Sequence, residues 1–344
     1  MKIIGACTGG GVGDLIAAMP AIQALHRHFC TRIDMLTTSY AAPILHGQPA
    51  VGAVLHDDGD RPLAEIAMEI GRRGYTHAVV FWSNPRIAAL LWHARIPTRV
   101  GQSRRLYSFR YTKRVPVRTE RGDITSHWSD VQMDYARALG ATPQAQDYVV
   151  SLPLYDADKA QAQSVIDRLS IPDPFIVLHA VRGISSQRAA WPAATFARLA
   201  DGLSNALSAA VVLSGSQRER SIAGEIAGRM QTPGINAAGL STLRGLAALM
   251  QRAAVVVALD SGPMHIAAAV GAPTVGIFAL RTDMPKRWRP LGPHVEVIEP
   301  RFPCPPRCRK ETCRTFACYA ALPVELVVAA AQSLLSPSTR QIAL

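Results

Sequence analysis

Along the first 160 residues, short apolar runs alternate with segments in which apolar residues recur at helical spacing. Short apolar runs, typical of buried strands, occupy residues 2–7, 32–38, 51–57 and 77–82. Stretches with helical spacing of apolar residues lie between them, at 13–29 and 62–73. Buried strands that alternate with helices predict a parallel sheet covered on both faces, which is a doubly wound α/β domain.

A second alternation begins after a proline-marked helical stretch at 151–174. It predicts strands at 175–181, 209–215 and 255–259, and helices at 192–207, 218–230 and 241–253. We therefore expect two Rossmann-like α/β domains that face a cleft, at 1–160 and 171–320. The remaining residues, 321–344, are expected to form a C-terminal helix and tail that pack back toward the N-terminal domain.

Three turns at strand ends of the second domain carry polar residues. They contain Ser185, Ser186 and Arg188 in the first, Glu219 in the second, and Asp260, Ser261, Gly262 and His265 in the third. Ligands of doubly wound sheets bind at the carboxyl ends of the strands. The three turns therefore predict one binding site.

The third turn has features of an anion site. A helix that starts at Pro263 would offer unpaired N–H groups and its positive end, and Gly262 would allow a phosphate to approach the backbone closely. His265, one turn further on, could donate to the same anion. The alternative is an ordinary helix start that is capped by Asp260 or Ser261.

Several segments of the chain resemble a known family. Residues 236–278, "NAAGLSTLRGLAALMQRAAVVVALDSGPMHIAAAVGAPTVGIF", are similar to the ADP-heptose:lipopolysaccharide heptosyltransferases, glycosyltransferase family 9. "GDLIAAMPAIQAL" near the start resembles that family's G-D-x-[IL]-x-x-x-P-A motif. "SSQRAAWP" resembles its Ser-rich loop before Trp-Pro, and "GSQRE" resembles the turn whose Glu holds the donor ribose.

The resemblance implies a GT-B fold, an inverting reaction without a catalytic metal, and an ADP-sugar donor. It places the donor diphosphate on the Asp260–His265 turn and the donor ribose at Glu219. One departure concerns Arg188, which stands three residues before Trp191, whereas the family's basic residue stands two before, at Ala189 here. Arg182 is the substitute candidate.

The glycine-rich turn at 7–14, "CTGGGVGD", does not fit a phosphate site. It lacks the Gly-Lys-Ser/Thr of a P-loop, and Asp14 stands where a dinucleotide fingerprint requires its third glycine. A carboxylate there would repel a pyrophosphate. We interpret Asp14 as the general base that deprotonates an acceptor hydroxyl. A simple helix cap is the alternative. The helix dipole lowers the pKa of this carboxyl and burial raises it, and the sequence does not decide between them.

Charge adds an anionic partner to this picture. The formal net charge is +12, from 32 Arg and 5 Lys against 25 acidic residues, although biased codon usage would also enrich arginine. Nine basic residues and one acid lie at 95–121, with aromatic residues among them. We assign Arg104 and Arg105 to an anionic, lipid-linked saccharide acceptor. A solvated basic face is the alternative, and no known nucleic-acid motif accompanies the segment.

Four of the six cysteines, Cys304, Cys308, Cys313 and Cys318, cluster near the end of the chain. In a cytoplasmic protein disulfides are disfavoured, so one interpretation is a structural zinc or iron site. Related autotransporter heptosyltransferases carry a cysteine-bound iron, but this spacing is not that of a standard zinc ribbon. Reduced structural thiols are the other interpretation.

These observations together predict a heptosyltransferase that acts on a lipopolysaccharide core acceptor and requires no cofactor for catalysis. A different sugar donor or a protein acceptor remains open, as does a non-catalytic nucleotide-sugar or nucleic-acid binding protein. With 49% apolar and 18% charged residues the chain is globular. No signal peptide or membrane span is evident. We expect a cytoplasmic location, with peripheral contact at the inner membrane.

Overall fold

The computed structural model describes residues 1–180, 191–280, 284–299, 302–304, 308 and 313–336. The chain divides into two compact units, Met1–Pro153 and Leu154–Leu344. The division lies within the proline-marked stretch 151–174. The helix at Asp156–Leu169 belongs to the second unit because its Asp158 pairs with Arg244 at 2.6 Å, and both side chains are largely buried.

The first unit contains one parallel six-stranded sheet. Its strands are β1 (Ile3–Cys7), β2 (Ile33–Thr37), β3 (Val51–His56), β4 (His77–Trp82), β5 (Thr98–Gln102) and β6 (Lys113–Val115). They lie in the order β3-β2-β1-β4-β5-β6, so the order reverses between β1 and β4. In such sheets the carboxyl ends of the strands at the reversal form the binding crevice.

Helices cover both faces of this sheet. They are α1 (Val12–Phe29), α2 (Leu63–Arg72), α3 (Pro85–His93) and α4 (Trp128–Arg137). Helices α2 and α3 contribute to an apolar core with Ile4, Leu36 and Val80 of the sheet. Helices α1 and α4 pack against each other. The apolar pattern predicted α1 and α2, but it gave no assignment for α3, α4, β5 or β6.

The second unit repeats this architecture. Its strands are β7 (Phe175–His179), β8 (Ala210–Leu213), β9 (Gly234–Asn236), β10 (Val255–Leu259), β11 (Thr274–Ile277) and β12 (Val295–Ile298). All are parallel, in the order β12-β11-β10-β7-β8-β9. The prediction of two doubly wound α/β domains is confirmed, although β9 and β12 were not assigned from the sequence.

The helices of the second unit are α5 (Asp156–Leu169), α6 (Ala193–Leu207), α7 (Arg220–Arg229), α8 (Leu243–Arg252), α9 (Gly262–Ala269), α10 (Pro285–Trp288), α11 (Ala317–Ala320) and α12 (Val324–Leu335). Helix α12 packs on α6, and Val327, Ala331 and Leu334 lie in the core of this unit. The apolar side of α12 thus contributes to the core of the second unit.

Among the described residues no helix has the length and apolar character needed to cross a bilayer.

Candidate functional site

Asp14 lies in the first turn of α1, directly after β1. Gly11 is the N-cap, and its N–H donates to Asp14 Oδ2 at 2.9 Å. The carboxylate therefore does serve the helix start, as the capping alternative proposed. The other oxygen, Oδ1, is buried and accepts no well-formed hydrogen bond from the described residues. One oxygen of Asp14 is thus held by the backbone, and the other is buried.

Burial dominates the acidity of Asp14. Loss of hydration raises its pKa to about 6, while the N–H groups of Gly11 and Asp14 and the indole of Trp128 act in the opposite direction. The competition that the sequence left open is therefore resolved in favour of burial. A carboxyl with this pKa is ionised at neutral pH and remains basic enough to accept a proton.

The glycines of the 7–14 turn make room for this carboxyl. A Cβ on Gly9 would overlap the indole of Trp82, and one on Gly10 would lie 2.7 Å from Asp14 Cβ. Gly11 has open space. The turn is glycine-rich because Trp82 and Asp14 approach its backbone closely, which agrees with the rejection of a phosphate loop.

A cavity of about 450 Å³ lies in the first unit at the carboxyl ends of β4 and β5. Its lining is rich in aromatic rings and comprises Phe81, Trp82, Ser83, Gln102, Arg105, Tyr107, Val117, Thr119, Glu120, Trp128 and Tyr135. Two of these residues connect it with Asp14, since Trp82 packs on Gly9 and Trp128 lowers the pKa of the carboxyl. The size is typical of a small-molecule site.

Only one of the two predicted acceptor residues lies in the cavity lining. Arg105 lines the cavity, and its Nη1 lies 3.0 Å from Glu120 Oε1, an ion pair without hydrogen-bond geometry. Arg104 is exposed and does not line the cavity, and its left-handed backbone (φ 59°) turns the chain after β5. The aromatic lining was missed by the sequence reading. The adjacent aromatic residues Phe81 and Trp82, at the end of strand β4, were the available signal.

In the second unit, the turn after β10 leads into helix α9. Ser261 occupies the N-cap, but its hydroxyl donates backward to the carbonyl oxygen of Leu259 at 2.9 Å. Helix α9 begins at Gly262, one residue before the predicted start. The Ser261 side chain therefore does not cap α9. His265 is buried in this turn, and Asp260 is half-buried beside it.

Glu219 follows β8, two strands away from β10 in the same sheet. Its Oε2 accepts the N–H of Ser216 at 2.6 Å, and a Cβ on Gly215 would lie 3.1 Å from Glu219 Cβ. This close approach fixes the carboxylate at the carboxyl end of the strand. The predicted residues of the second and third turns therefore lie at the carboxyl ends of two strands of the same sheet. Ser185, Ser186 and Arg188 of the first turn, and Arg182, lie outside the described residues.

His179 ends β7, the strand between β8 and β10, and was missed by the sequence reading. Its Nδ1 lies 3.1 Å from Ser214 Oγ. Burial lowers its pKa to about 4, against the opposing charge of Glu219 and a backbone hydrogen bond at Ser214. His179 is therefore neutral at pH 7 and adds an uncharged imidazole beside Glu219. A polar residue at the end of the run "FIVLH" was the available signal.

The four clustered cysteines are free thiols. Burial, followed by interactions with Cys304 and Cys313, raises the pKa of Cys308. The N–H of Phe316 donates to Cys313 Sγ at 3.3 Å, and such backbone contacts lower the pKa of Cys313. Over the part of the chain that is described, no three ligating side chains converge as a metal would require. The geometry gives the structural metal no support.

Comparison with known proteins agrees with this arrangement. Residues 64–317 match the family model described as glycosyltransferase family 9 (heptosyltransferase). The chain belongs to this family. It is 25% identical over 295 residues to lipopolysaccharide heptosyltransferase 3 of Escherichia coli, covering 81% of this chain and 83% of that protein. Family membership makes it a heptosyltransferase-type glycosyltransferase, as predicted.

Solved structures agree on the fold. A family 9 glycosyl transferase from Veillonella parvula superposes with a TM-score of 0.80 at 22% identity, over 97% of both chains. The E. coli ADP-heptose lipopolysaccharide heptosyltransferase II gives 0.78 at 21%, over 97% of this chain and 98% of that one. The fold class is GT-B, as the resemblance implied.

Proposed function

We propose that this glycosyltransferase moves a heptose from ADP-heptose to a phosphorylated saccharide of the lipopolysaccharide core, at the cytoplasmic face of the inner membrane. The observation that carries the proposal is Asp14. Its carboxyl has a pKa of about 6 and interacts with the indole of Trp128, which lines a cavity of sugar size. The related heptosyltransferases described above support the donor and the acceptor class.

Asp14 is assigned as the general base of a single displacement. Its carboxylate removes the proton of the acceptor hydroxyl while that oxygen attacks the anomeric carbon of the donor. The bond from the anomeric carbon to the diphosphate oxygen breaks, and ADP leaves with the electron pair. One displacement inverts the anomeric configuration. This route needs no cofactor, because the charge that develops on ADP is assigned to protein groups.

The second domain is assigned to the donor. The first turn of α9, with Asp260, Ser261, Gly262 and His265, would hold the diphosphate through N–H groups and the helix dipole. Glu219 would accept hydrogen bonds from the ribose hydroxyls, with neutral His179 next to it. Ser185, Ser186 and Arg188 stay assigned to the donor on the resemblance alone.

The aromatic cavity of the first domain is assigned to the acceptor. Aromatic side chains offer large apolar faces, which suit the apolar C–H faces of a sugar ring. Ser83, Gln102 and Thr119 supply hydrogen-bonding groups, and Arg105 can hold a phosphate by charge-assisted hydrogen bonds. Arg104, at the rim, contributes charge only.

Mass spectrometry of the products tests the assignment. ADP-heptose and other nucleotide sugars would be offered in turn with phosphorylated and dephosphorylated core saccharides and with polypeptide acceptors. We expect the mass of one heptose to be added to the phosphorylated core alone. Product only from another nucleotide sugar would replace the donor, and product only on a polypeptide would replace the acceptor.

A further inference from the structure

Two apolar side chains of the 3₁₀ helix Leu106–Arg110 point into solvent. Leu106 is 99% exposed and Phe109 is 61% exposed. Residues three apart lie on the same side of a 3₁₀ helix, so these two side chains share a face. Trp92, at the end of α3, is 46% exposed. The Arg110 guanidinium carbon lies 4.6 Å from the Phe109 ring centroid and 6.0 Å from that of Trp92, which joins them into one patch.

The opposite side of this 3₁₀ helix is anchored. Tyr107 donates its hydroxyl hydrogen to the Ser83 carbonyl at 3.0 Å, and its oxygen accepts from Gln102 Nε2 at 2.9 Å. Buried Ser108 donates to the Gln102 carbonyl at 2.7 Å. The fold therefore holds Leu106 and Phe109 in water by a well-bonded turn. Such exposed apolar groups mark a surface that is covered in use.

Positive charge is concentrated around the same side chains. The first unit has 17 basic and 12 acidic residues, and residues 95–121 contain nine of the former and one of the latter, Glu120. Outside this segment the unit has an acidic excess, 11 against 8. Arg105 neutralises Glu120. The exposed basic side chains of the segment are Arg95, Arg104, Arg105, Lys113, Arg114 and Arg121.

We propose that Trp92, Arg104, Leu106, Phe109 and Arg110, here called the docking patch, seat this protein on an anionic phospholipid bilayer. Apolar and aromatic side chains enter the acyl–headgroup boundary, and arginines bind the phosphates around them. A nucleic acid would account for the charge but not for a fully exposed leucine. A protein partner would account for the apolar side chains but not for so one-sided a charge.

The docking patch adjoins the acceptor cavity through its own helix. Arg105 and Tyr107, neighbours of Leu106 on both sides, line that cavity. Docking would therefore bring the headgroup of a membrane-anchored saccharide next to the cavity. Only this last step rests on the proposed function, because adhesion to a bilayer needs neither sugar nor nucleotide.

Cosedimentation of the full chain with vesicles tests the docking. Vesicles of phosphatidylethanolamine and phosphatidylglycerol are compared with phosphatidylcholine alone, without substrates. We expect affinity for the anionic vesicles to fall roughly tenfold or more in Leu106→Ser/Phe109→Ser, since buried apolar area is lost. In Arg104→Glu it should fall by more than the factor of about five that one cation contributes.

Matched controls distinguish binding through the docking patch from nonspecific adsorption to vesicles. Met68→Ser/Val149→Ser removes two exposed apolar side chains elsewhere in the first unit, and Arg229→Glu makes the same charge change in the second. Both should bind anionic vesicles like the parent. Equal losses in patch and control variants, or no loss in either, would overturn the proposal, as would equal binding to phosphatidylcholine.

Insertion of the docking patch into the bilayer can be measured separately, by fluorescence quenching. In the Leu106→Trp variant, brominated lipids should quench the new indole fluorescence strongly, whereas in Met68→Trp they should not. Quenching that is the same in both variants would overturn insertion. Loss of self-association or of protein binding in the Leu106→Ser/Phe109→Ser variant, with vesicle binding intact, would assign the patch to a protein partner.

Discussion

At the scale of single residues, the two oxygens of Asp14 have different environments. Its Oδ2 caps α1 through the Gly11 N–H, while the environment of Oδ1 raises the pKa of the group. A helix N-terminus normally stabilises a carboxylate. Here the loss of hydration is the larger effect. The raised pKa of Asp14 therefore comes at a cost in folding free energy.

Replacement of Asp14 by Asn keeps a side-chain oxygen for the Gly11 N–H and removes the basic carboxylate. We expect kcat to fall by roughly 10²–10⁴, the usual contribution of a positioned general base. In the parent, kcat/KM should decline as pH falls below about 6, because the carboxylate is then protonated. Steady-state kinetics as a function of pH measures both effects. A variant with parental kcat would leave Asp14 as a helix cap only.

The same variant has an expected stability effect of defined sign. The native pKa, about 6, is above the ordinary value of 3.8, so the native state holds this proton more tightly than the unfolded state. Stability from this group is thus present below pH 3.8 and falls as pH rises to 6. At pH 8, the free energy of unfolding measured in urea should be higher for Asp14→Asn than for the parent, by up to about 3 kcal/mol. This gain in stability should become smaller as the pH is lowered toward 4.

His265 tests the donor site at the same scale. Its side chain is buried in the first turns of α9, where the diphosphate is proposed to bind. His265→Ala should weaken ADP binding by about one to a few kcal/mol in titration calorimetry. Thr242→Ala is the control, since it removes the cap of α8 and should cost about 1 kcal/mol of stability alone. Equal ADP affinity in parent and His265→Ala would move the donor elsewhere.

At the scale of elements, the β1–α1 turn is shaped by close contacts. Gly10→Ala would place its Cβ 2.7 Å from Asp14 Cβ, so the carboxyl must shift, whereas Gly11→Ala meets nothing nearer than 4.0 Å. We expect Gly10→Ala to lower kcat/KM at least tenfold, because a displaced base loses its alignment. Gly11→Ala should stay within a factor of a few. Similar losses in both variants would point to backbone conformation instead of the carboxyl contact.

The elements also show how far the sequence predicts the molecule. The βαβ alternation and the strand-end turns were readable because apolar runs and polar punctuation are local signals. The cavity was not, since Trp82, Tyr107, Trp128 and Tyr135 meet only through the packing of β4, α4 and a 3₁₀ helix. Short β6 and β9, with three residues each, are too small to carry a periodic signal.

Two details of the site depend on atomic geometry that no residue pattern encodes. Ser261 has the right identity for an N-cap, yet its hydroxyl donates to the Leu259 carbonyl. The pKa of Asp14 follows from how completely water is removed around it. The cysteine spacing, conversely, suggested a metal that the described side chains are not arranged to hold.

At the scale of the whole molecule, α12 is a structural part of the second unit. Val327 is fully buried among α6 and the sheet, while Ala329 on the same helix is exposed. Val327→Asp places an unpaired charge in this core and should destabilise the unit by several kcal/mol. We expect ADP binding and soluble yield to be lost. Ala329→Asp, the matched change on the exposed side, should retain both in calorimetry and in expression trials.

The position of α12 also sets an order of events during synthesis. The first unit has all of its strands and helices by Pro153, so its core can close while the ribosome is still translating the second. The second unit lacks the cover for α6, β10, β11 and β12 until α12 has left the exit tunnel. Its apolar surface stays uncovered until then. During that interval we expect chaperones to bind the nascent second unit and not the first.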